Sequence, residues 1–319
     1  MSKFVYRQLI LETDAVTYWK DGKYSLALKV LEQLFKETPS TTVMLKILQL
    51  PHKKLPPAVA DAMLDYIARN TRLTRLDLSG FGITSLKKLN NMGLRFLNCS
   101  GNQLTSLEGL EKMPLEFLNC SNNRITSLEP LRYIAIKTLS CSHNRISSLE
   151  PVNMSRLMAL DVSFNALTDL NHISGKELNT LRVRGNKITS LEPLSGLPLR
   201  VLDAGQTEVS DLSPLRGMPL ENLLLDHTAI ADLSTIQDIK FISLSLYNCK
   251  QLKDLRPLFN MTSLRSLSLP QEHGDISPLR ALPNLLFITS SGIVPKGDTG
   301  TAAAFWQVYD KKSSGKKKK

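Results

Sequence analysis

The stretch LRFLNCSGNQLTSLEGLEKMP at residues 94–114 is followed directly by LEFLNCSNNRITSLEPLRYIA at residues 115–135. Residues 178–198, LNTLRVRGNKITSLEPLSGLP, repeat the same phrase. Self-similarity at a fixed period is the sequence signature of a repeat architecture. Eleven positions open such a copy, nearly all of them 21 residues apart: Leu73, Leu94, Leu115, Ile136, Leu157, Leu178, Leu199, Leu220, Phe241, Leu264 and Leu285.

Each copy contains two apolar patterns. The first, LxxLxL, ends in an alternation that predicts a short strand with every second side chain pointing inward. The second, as in Ile125, Leu128 and Leu131, returns the chain through a segment too short for a full α-helix, so we expect 3₁₀ turns or irregular coil. Proline suits such turns because its φ is fixed. It recurs there at Pro130, Pro151, Pro193, Pro214, Pro257 and Pro278.

The repeated phrase resembles the LxxLxLxxNxL pattern of the leucine-rich-repeat family, in its short bacterial, internalin-like class. The resemblance covers about 220 residues. It implies an α/β repeat solenoid, a right-handed horseshoe or arc with a parallel β-sheet on its concave side. We predict about 11 repeats of 21 residues over residues 73–292, with helical caps at both ends.

Asparagine occupies the ninth position of five consecutive copies. An inward amide there can bond the backbone of neighbouring turns, so these residues predict a structural ladder. The ladder is formed by Asn102, Asn123, Asn144, Asn165 and Asn186. The later ninth positions are Thr207, Thr228, Cys249 and, after the one 23-residue spacing, Glu272, so we expect the C-terminal repeats to be less regular.

Three cysteines recur at the sixth position: Cys99, Cys120 and Cys141. A metal site is the alternative interpretation, since adjacent strands would stack them about 4.8 Å apart. Four other copies place Leu78, Val162, Val183 and Leu225 at this position, and no CxxC pair is present. We therefore predict buried thiols in a reducing compartment and no metal site or cofactor.

Repeat arrays need caps that cover their apolar ends. Residues 51–72 predict an N-terminal cap helix, because Val59, Met63 and Ile67 lie four apart on one helical face. Residues 293–312 predict a C-terminal cap helix that carries Phe305 and Trp306, with Tyr309. We expect the basic tail at 313–319 to be disordered.

Two shorter resemblances concern the ends of the chain. Residues 15–39, within a helical segment predicted at 1–50, resemble one tetratricopeptide motif. Its matching positions are Tyr18, Gly22, Tyr24, Ala27, Leu28 and Pro39. A single copy must pack on a following helix, on the cap or on a partner, and we expect local packing. The ending AAAFWQVYD resembles repeat regions appended to bacterial Ser/Thr protein kinases, which implies a role in bacterial signalling.

Positions two, three, five, seven and eight of each copy are expected to face the concave surface. Phe96 and Phe117, both at the third position, are costly to expose and are expected to stack. Arginine and aromatic residues are enriched in interfaces. On this ground the predicted protein-binding residues are Phe96, Phe117, Phe164, Arg182, Arg184, His227 and Tyr247, with an ordinary solvated surface as the alternative.

The net charge of +11 is concentrated at the ends, because residues 73–295 hold 22 Lys/Arg against 20 Asp/Glu. Weak, nonspecific anion binding is expected of Lys316, Lys317, Lys318 and Lys319. No GxGxxG, GxxxxGK, HRD, DFG, GxSxG or HExxH motif is present, and the five histidines are scattered. We therefore predict no catalytic residues. No signal peptide or membrane span is evident, so a cytoplasmic location is expected.

These observations favour a monomeric, non-catalytic adaptor that binds a protein partner of unknown identity. The alternative is a binder of nucleic acid or of an anionic membrane surface, acting through the basic N- and C-terminal segments.

Overall fold

The computed structural model describes residues 3–37, 55–70, 73–152, 156–290 and 301–316. The chain forms two compact units, residues 1–153 and residues 154–319. The first unit begins with three helices, α1 (Lys3–Lys20), α2 (Tyr24–Glu37) and α3 (Pro57–Asn70). The second ends with α4 (Ala302–Lys316). None of these four helices, the α-helices of the described ranges, has the length and apolar character needed to cross a membrane.

The strands are short, parallel and paired in chain order within each unit. The first unit contains β1 (Arg75–Asp77), β2 (Phe96–Asn98), β3 (Phe117–Asn119) and β4 (Thr138–Ser140). The second unit contains β5 (Ala159–Asp161), β6 (Thr180–Arg182), β7 (Val201–Asp203), β8 (Asn222–Leu224), β9 (Ser243–Ser245), β10 (Ser266–Ser268) and β11 (Phe287–Thr289). Eleven strands in the described part of the chain, one for each predicted repeat, confirm the repeat solenoid.

The register follows the repeat period. Leu97 pairs with Leu118, and Leu181 pairs with Leu202, each 21 residues later. The central residue of every strand is a buried Leu or Ile, which places the aliphatic core on one side of the strands. Burying each of these side chains stabilises the fold by roughly 1.5–3 kcal/mol relative to exposure.

The chain returns between strands through short 3₁₀ turns, as predicted. Proline stands in the first two positions of the turns at Glu129–Leu131 and Glu192–Leu194. Two later turns lengthen to five residues, Arg256–Asn260 and Ser277–Ala281. The strand pairing nevertheless continues unbroken to β11. The described C-terminal repeats therefore differ in their turns but keep the strand pairing.

The N-terminal helices pack on one another. Helices α1 and α2 are joined at Gly22, whose φ of 74° lies in the left-handed region that glycine adopts without strain. Trp19 and Leu31 are buried. The hydroxyl of Tyr66 on α3 donates to the Leu31 carbonyl at 3.3 Å, so the α1–α2 pair packs locally, on the cap helix. Burial and the nearby Glu32 raise the pKa of Tyr66 to about 12.

Helix α3 covers the first repeat with the predicted face. Val59, Met63 and Ile67 are all buried. On its outer side, the Lys88 ammonium lies 2.7 Å from the Asp65 carboxylate, which joins the helix to the first 3₁₀ turn. Pro39, the last position of the tetratricopeptide-like pattern, lies outside the described residues.

Helix α4 lies at the end of the second unit. Phe305 is fully buried, and the Arg280 guanidinium lies 4.6 Å from the centre of the Trp306 ring and pairs with Asp310. The helix ends at Lys316, beyond the predicted boundary at residue 312. Residues 317–319 lie outside the described residues.

Candidate binding surface

Except for the buried Asp203 in β7, the residues on either side of each buried strand centre are partly or fully accessible to solvent. In β2, for example, Phe96 and Asn98 are half-buried while Leu97 between them is inaccessible. The same alternation holds in β1, β3 and β4. We call the side of the strands that carries these third and fifth repeat positions the strand face. Its residues can vary without changing the aliphatic core.

Two phenylalanines and an arginine form a stack on the strand face of the first unit. The rings of Phe96 and Phe117 lie 4.2 Å apart, centre to centre, and are tilted by only 5°. The Arg75 guanidinium lies 4.3 Å from the centre of the Phe96 ring. We call Arg75, Phe96 and Phe117 the aromatic stack. Sequence reasoning identified the two phenylalanines but missed Arg75, although all three occupy the third repeat position.

The charged neighbours of the aromatic stack are already paired. The Glu116 carboxylate accepts from Lys137 at 2.7 Å and from Arg95 at 2.9 Å. These contacts, with Lys137 contributing most, lower the pKa of Glu116. Asp77 accepts from the Asn98 side chain at 3.1 Å and from a backbone amide. Arg95, Lys137 and Glu116 therefore largely neutralise one another, while Asp77 is bonded by neutral donors.

In the second unit, Arg184 belongs to an ion-pair cluster. Its guanidinium lies 3.0 Å from the Asp226 carboxylate and 3.5 Å from that of Asp203. Asp226 also accepts from the Ser245 hydroxyl. Burial raises the pKa of Asp203, and the charge of Arg184 only partly opposes this. Arg184 is thus part-buried and ion-paired, and its role in partner binding stays a prediction.

The raised pKa of Asp203 predicts a pH-dependent stability. Because the folded protein holds this proton more tightly than the unfolded chain, stability from this group is lost as pH rises through its folded pKa. In Asp203→Asn, an amide oxygen can still accept from the Gly205 amide but carries no charge. The melting temperature of the variant minus that of the parent should be more positive at pH 7 than at about pH 4.

Thermal unfolding monitored by circular dichroism at the two pH values measures this difference in melting temperature. Asp161→Asn is the matched control, since Asp161 accepts from the backbone amide two residues later in the same way but is only half-buried. If the melting temperature of Asp203→Asn differed from that of the parent by the same amount at both pH values, the raised pKa of Asp203 would be contradicted.

The other predicted binding residues of the second unit are dispersed. The rings of His227 and Tyr247 meet edge to face at 5.4 Å. Phe164 packs over Gly185, where an added Cβ would lie 2.5 Å from the ring. Arg182 is exposed. The structure therefore joins Phe96 with Phe117 and His227 with Tyr247, but it shows no continuous stripe within either unit.

The ninth-position asparagines bond the backbone of adjacent repeats. The Asn102 amide nitrogen donates to the carbonyls of Leu78 (2.8 Å) and Cys99 (2.9 Å). Its oxygen accepts from the amides of Gly82 and Ile83. Asn123, Asn144 and Asn186 likewise donate to carbonyls of their own and the preceding repeat, and each accepts from one backbone amide of the preceding repeat. Asn165 donates to the Val162 carbonyl at 3.0 Å.

The later ninth positions differ from one another. The Thr207 and Thr228 hydroxyls each donate to a carbonyl of their own repeat at 2.6 Å. The buried Cys249 thiol donates to the Leu225 carbonyl at 3.1 Å. Assigning Glu272 to this series was wrong. Its side chain is 84% exposed and pairs with Lys253, because burying a carboxylate without a partner is costly.

The cysteine column is inaccessible to solvent. Cys99, Cys120 and Cys141 are 0% exposed and lie just after three neighbouring paired strands. Burial raises the pKa of the Cys99 thiol well above its usual value, which keeps it protonated. Within the described ranges, no group of three or more His, Cys, Asp or Glu side chains is placed to hold a metal ion.

Comparison with known proteins concerns the repeats. The family model for leucine-rich repeats in two copies matches residues 69–112, 93–133 and 114–153. All three matches fall in the first unit, so the repeats of the second unit are recognised by their period and their strands. No curated protein matches the chain at a significant level.

Several solved structures are similar. An internalin of Listeria monocytogenes strain 4b F2365 is 23% identical over 76% of this chain and 80% of its own, with a TM-score of 0.64. A leucine-rich-repeat protein of Leptospira interrogans is 16% identical over 78% and 81%, with a TM-score of 0.52. The functional domain of InlJ from Listeria monocytogenes, which includes a cysteine ladder, is 24% identical over 70% and 54%, with a TM-score of 0.53. At these identities the likeness concerns the fold alone: the chain is a leucine-rich-repeat solenoid.

Proposed function

We propose that this protein is a non-catalytic scaffold that binds a protein partner through the strand face of its leucine-rich repeats. The aromatic stack carries the proposal. It places two parallel phenylalanine rings and a guanidinium at the third positions of three adjacent repeats, beside the smaller Thr138 of the next repeat.

The energetics of interfaces support this assignment. A few residues supply most of the binding energy of a protein interface, and they are enriched in aromatic residues and arginine. The core of the first unit does not depend on the two rings, because the buried Leu97 and Leu118 beside them already supply it. Rings kept partly exposed at adjacent repeats therefore favour a role in contact with another molecule.

The chemistry of the chain supports a role without catalysis. The contacts of two histidines are with groups other than carboxylates: His227 contacts Tyr247 and Asn248, and His273 contacts Ser290. The part-buried carboxylates of Asp203 and Asp226 are held by Arg184. We therefore propose that the part of the chain that the structure describes has no catalytic site.

The finer predictions concern the setting in which the scaffold acts. We propose a cytoplasmic, bacterial signalling role on the basis of the kinase-like ending, and a tetratricopeptide-like function for the α1–α2 pair. Support for the second proposal is the helical hairpin itself, with its turn at Gly22 and the buried Ala27. A monomeric state also stays a prediction.

The proposal is tested by affinity capture from native cytoplasm at low and moderate salt. The intact chain is compared with the double variant Phe96→Ala/Phe117→Ala. Tyr133→Ala is the matched control, because Tyr133 is an 89% exposed aromatic residue outside the strand face. We expect one discrete protein to be retained at moderate salt by the intact chain and the control but lost by the double variant. Purified components should show at least about a tenfold weaker Kd for that variant.

Two results would contradict the proposal. One is retention of the same partner, with unchanged Kd, by a folded double variant. The other is recovery of nucleic acid or anionic lipid alone, released by added salt and indifferent to Phe96 and Phe117. Phosphate-driven binding falls steeply with salt, so that result would favour the alternative function in the basic terminal segments.

A further inference from the structure

Arg75 differs from the basic side chains beside it. Arg95 and Lys137, which also extend from the strand region of the first unit, both pair with Glu116. Arg75 is exposed, and among the residues that the structure describes no carboxylate lies within ion-pair distance of its guanidinium. The positive charge of Arg75 is therefore available to another molecule.

The contact with Phe96 places the donors of Arg75 beside an apolar ring. The guanidinium carbon lies over the Phe96 ring, 4.3 Å from its centre, and the hydrocarbon ring has no oxygen or nitrogen atom that could occupy the N–H groups. A guanidinium is planar and carries its N–H groups in a rigid fork. This fork suits a carboxylate, which can accept two parallel bonds. Stacking also orders the side chain before binding, which reduces the entropy lost on binding.

The carboxylates beside the aromatic stack are bonded to donors other than Arg75. Asp77 accepts bonds from Asn98 and Ser79, and Glu116 is held by two cations. One unneutralised guanidinium thus adjoins the apolar surface of Phe96 and Phe117. A ligand that fits this surface therefore combines an anionic acceptor for the guanidinium with an apolar group for the rings.

We propose that the aromatic stack recognises an acidic side chain next to an apolar side chain in a protein partner. The carboxylate binds the Arg75 guanidinium and the apolar side chain packs on the rings of Phe96 and Phe117. This rests on the proposed function. A nucleic acid fits less well, because binding to phosphates draws on several cations, whereas Arg95 and Lys137 are already neutralised by Glu116.

The test is selection of random peptides displayed on phage against the purified full chain. Enriched peptides should contain Asp or Glu beside Phe, Tyr, Trp or Leu. A synthetic peptide of the enriched sequence should bind Arg75→Gln about tenfold more weakly, as expected on losing a charge-assisted hydrogen bond. Arg95→Gln, the matched control, should change its affinity less than about twofold, because Arg95 is already paired. Selection on Arg75→Glu should enrich Lys or Arg in place of the acid.

Several results would overturn the inference. One such result is a set of peptides that need Phe96 and Phe117 but show no acidic preference and bind Arg75→Gln as well as the intact chain. This result would rule out recognition of a carboxylate by Arg75 and would leave the proposed function intact. No enrichment at all, or stronger stack-dependent binding of an oligothymidylate than of any peptide, would also overturn it. Failure of the proposed function is seen separately, in the capture of a native partner that is indifferent to Phe96→Ala/Phe117→Ala.

Discussion

Asn186→Ala is expected to lower the free energy of unfolding by about 3–5 kcal/mol. The Asn186 side chain is 4% exposed and bonds two repeats at once. Its oxygen accepts from the Leu167 amide at 3.0 Å, and its nitrogen donates to the carbonyls of Val162 at 3.0 Å and Val183 at 2.8 Å. Alanine leaves these buried backbone groups without partners, and each such group costs about 1–3 kcal/mol.

Thr207→Ala is the matched comparison, because Thr207 holds the same position one repeat later. Its hydroxyl donates a single described bond, to the Ala204 carbonyl. We expect a loss of about 1 kcal/mol, the net value of one ordinary hydrogen bond. Urea unfolding followed by circular dichroism measures both variants. Equal losses for the two would show that the ladder does not depend on amide bonds between repeats.

Gly109→Ala is expected to destabilise the first unit by about 3 kcal/mol or more. Gly109 adopts a φ of 103°, outside the regions open to residues with a Cβ. A Cβ added there would lie 2.6 Å from the Leu86 carbonyl oxygen and 2.9 Å from Lys87 Cα. Both are backbone atoms that cannot move without shifting the preceding turn. Denaturant unfolding of the purified variant measures the loss.

Gly101→Ala is the matched control, because it measures the cost of a left-handed backbone without a close approach of the added Cβ. Gly101 has a φ of 68°, and a Cβ there would approach the nearest described atom, the Gly80 amide nitrogen, only to 3.6 Å. We expect a cost of about 1 kcal/mol. If Gly109→Ala were no more harmful than Gly101→Ala, the close approach to the Leu86 turn would be refuted.

The fold could be predicted from the sequence because every repeat carries the same information. Leu97, Leu118 and their equivalents recur with one period, so the strand, its register and its buried side follow from spacing. Where the spacing changes, positions counted from the start of a repeat no longer correspond between repeats. Counting nine residues from Leu264 led to Glu272, whereas the structure places that side chain in solvent beside Lys253. Spacing alone does not locate a residue next to an insertion.

The backbone of a single repeat can also depart from the repeat pattern. Gly109 stands at the position that Pro130 occupies one repeat later, and the two need opposite signs of φ. A repeat average would therefore favour proline where the backbone excludes it. The conformation depends on how the preceding turn at Leu86 and Lys87 packs, and the repeat pattern carries no signal for that.

The candidate surface was only partly predictable. The contact between Phe96 and Phe117 follows from their shared repeat position, and Arg75 could have been found by extending that position to the first repeat. The pairing of Arg184 with Asp226 spans two repeats and two different positions. Such diagonal contacts depend on side-chain length and burial, which the repeat spacing does not give.

Site-specific photocrosslinking tests the central claim, that the partner contacts the strand face beside the aromatic stack. The photoreactive residue p-benzoylphenylalanine replaces Thr138, which pairs in register with Phe117, or Tyr133, which is exposed outside the strand face. Irradiation with the partner is predicted to yield a crosslink from position 138 and little from position 133. Crosslinking from position 133 alone, with none from position 138, would contradict the account.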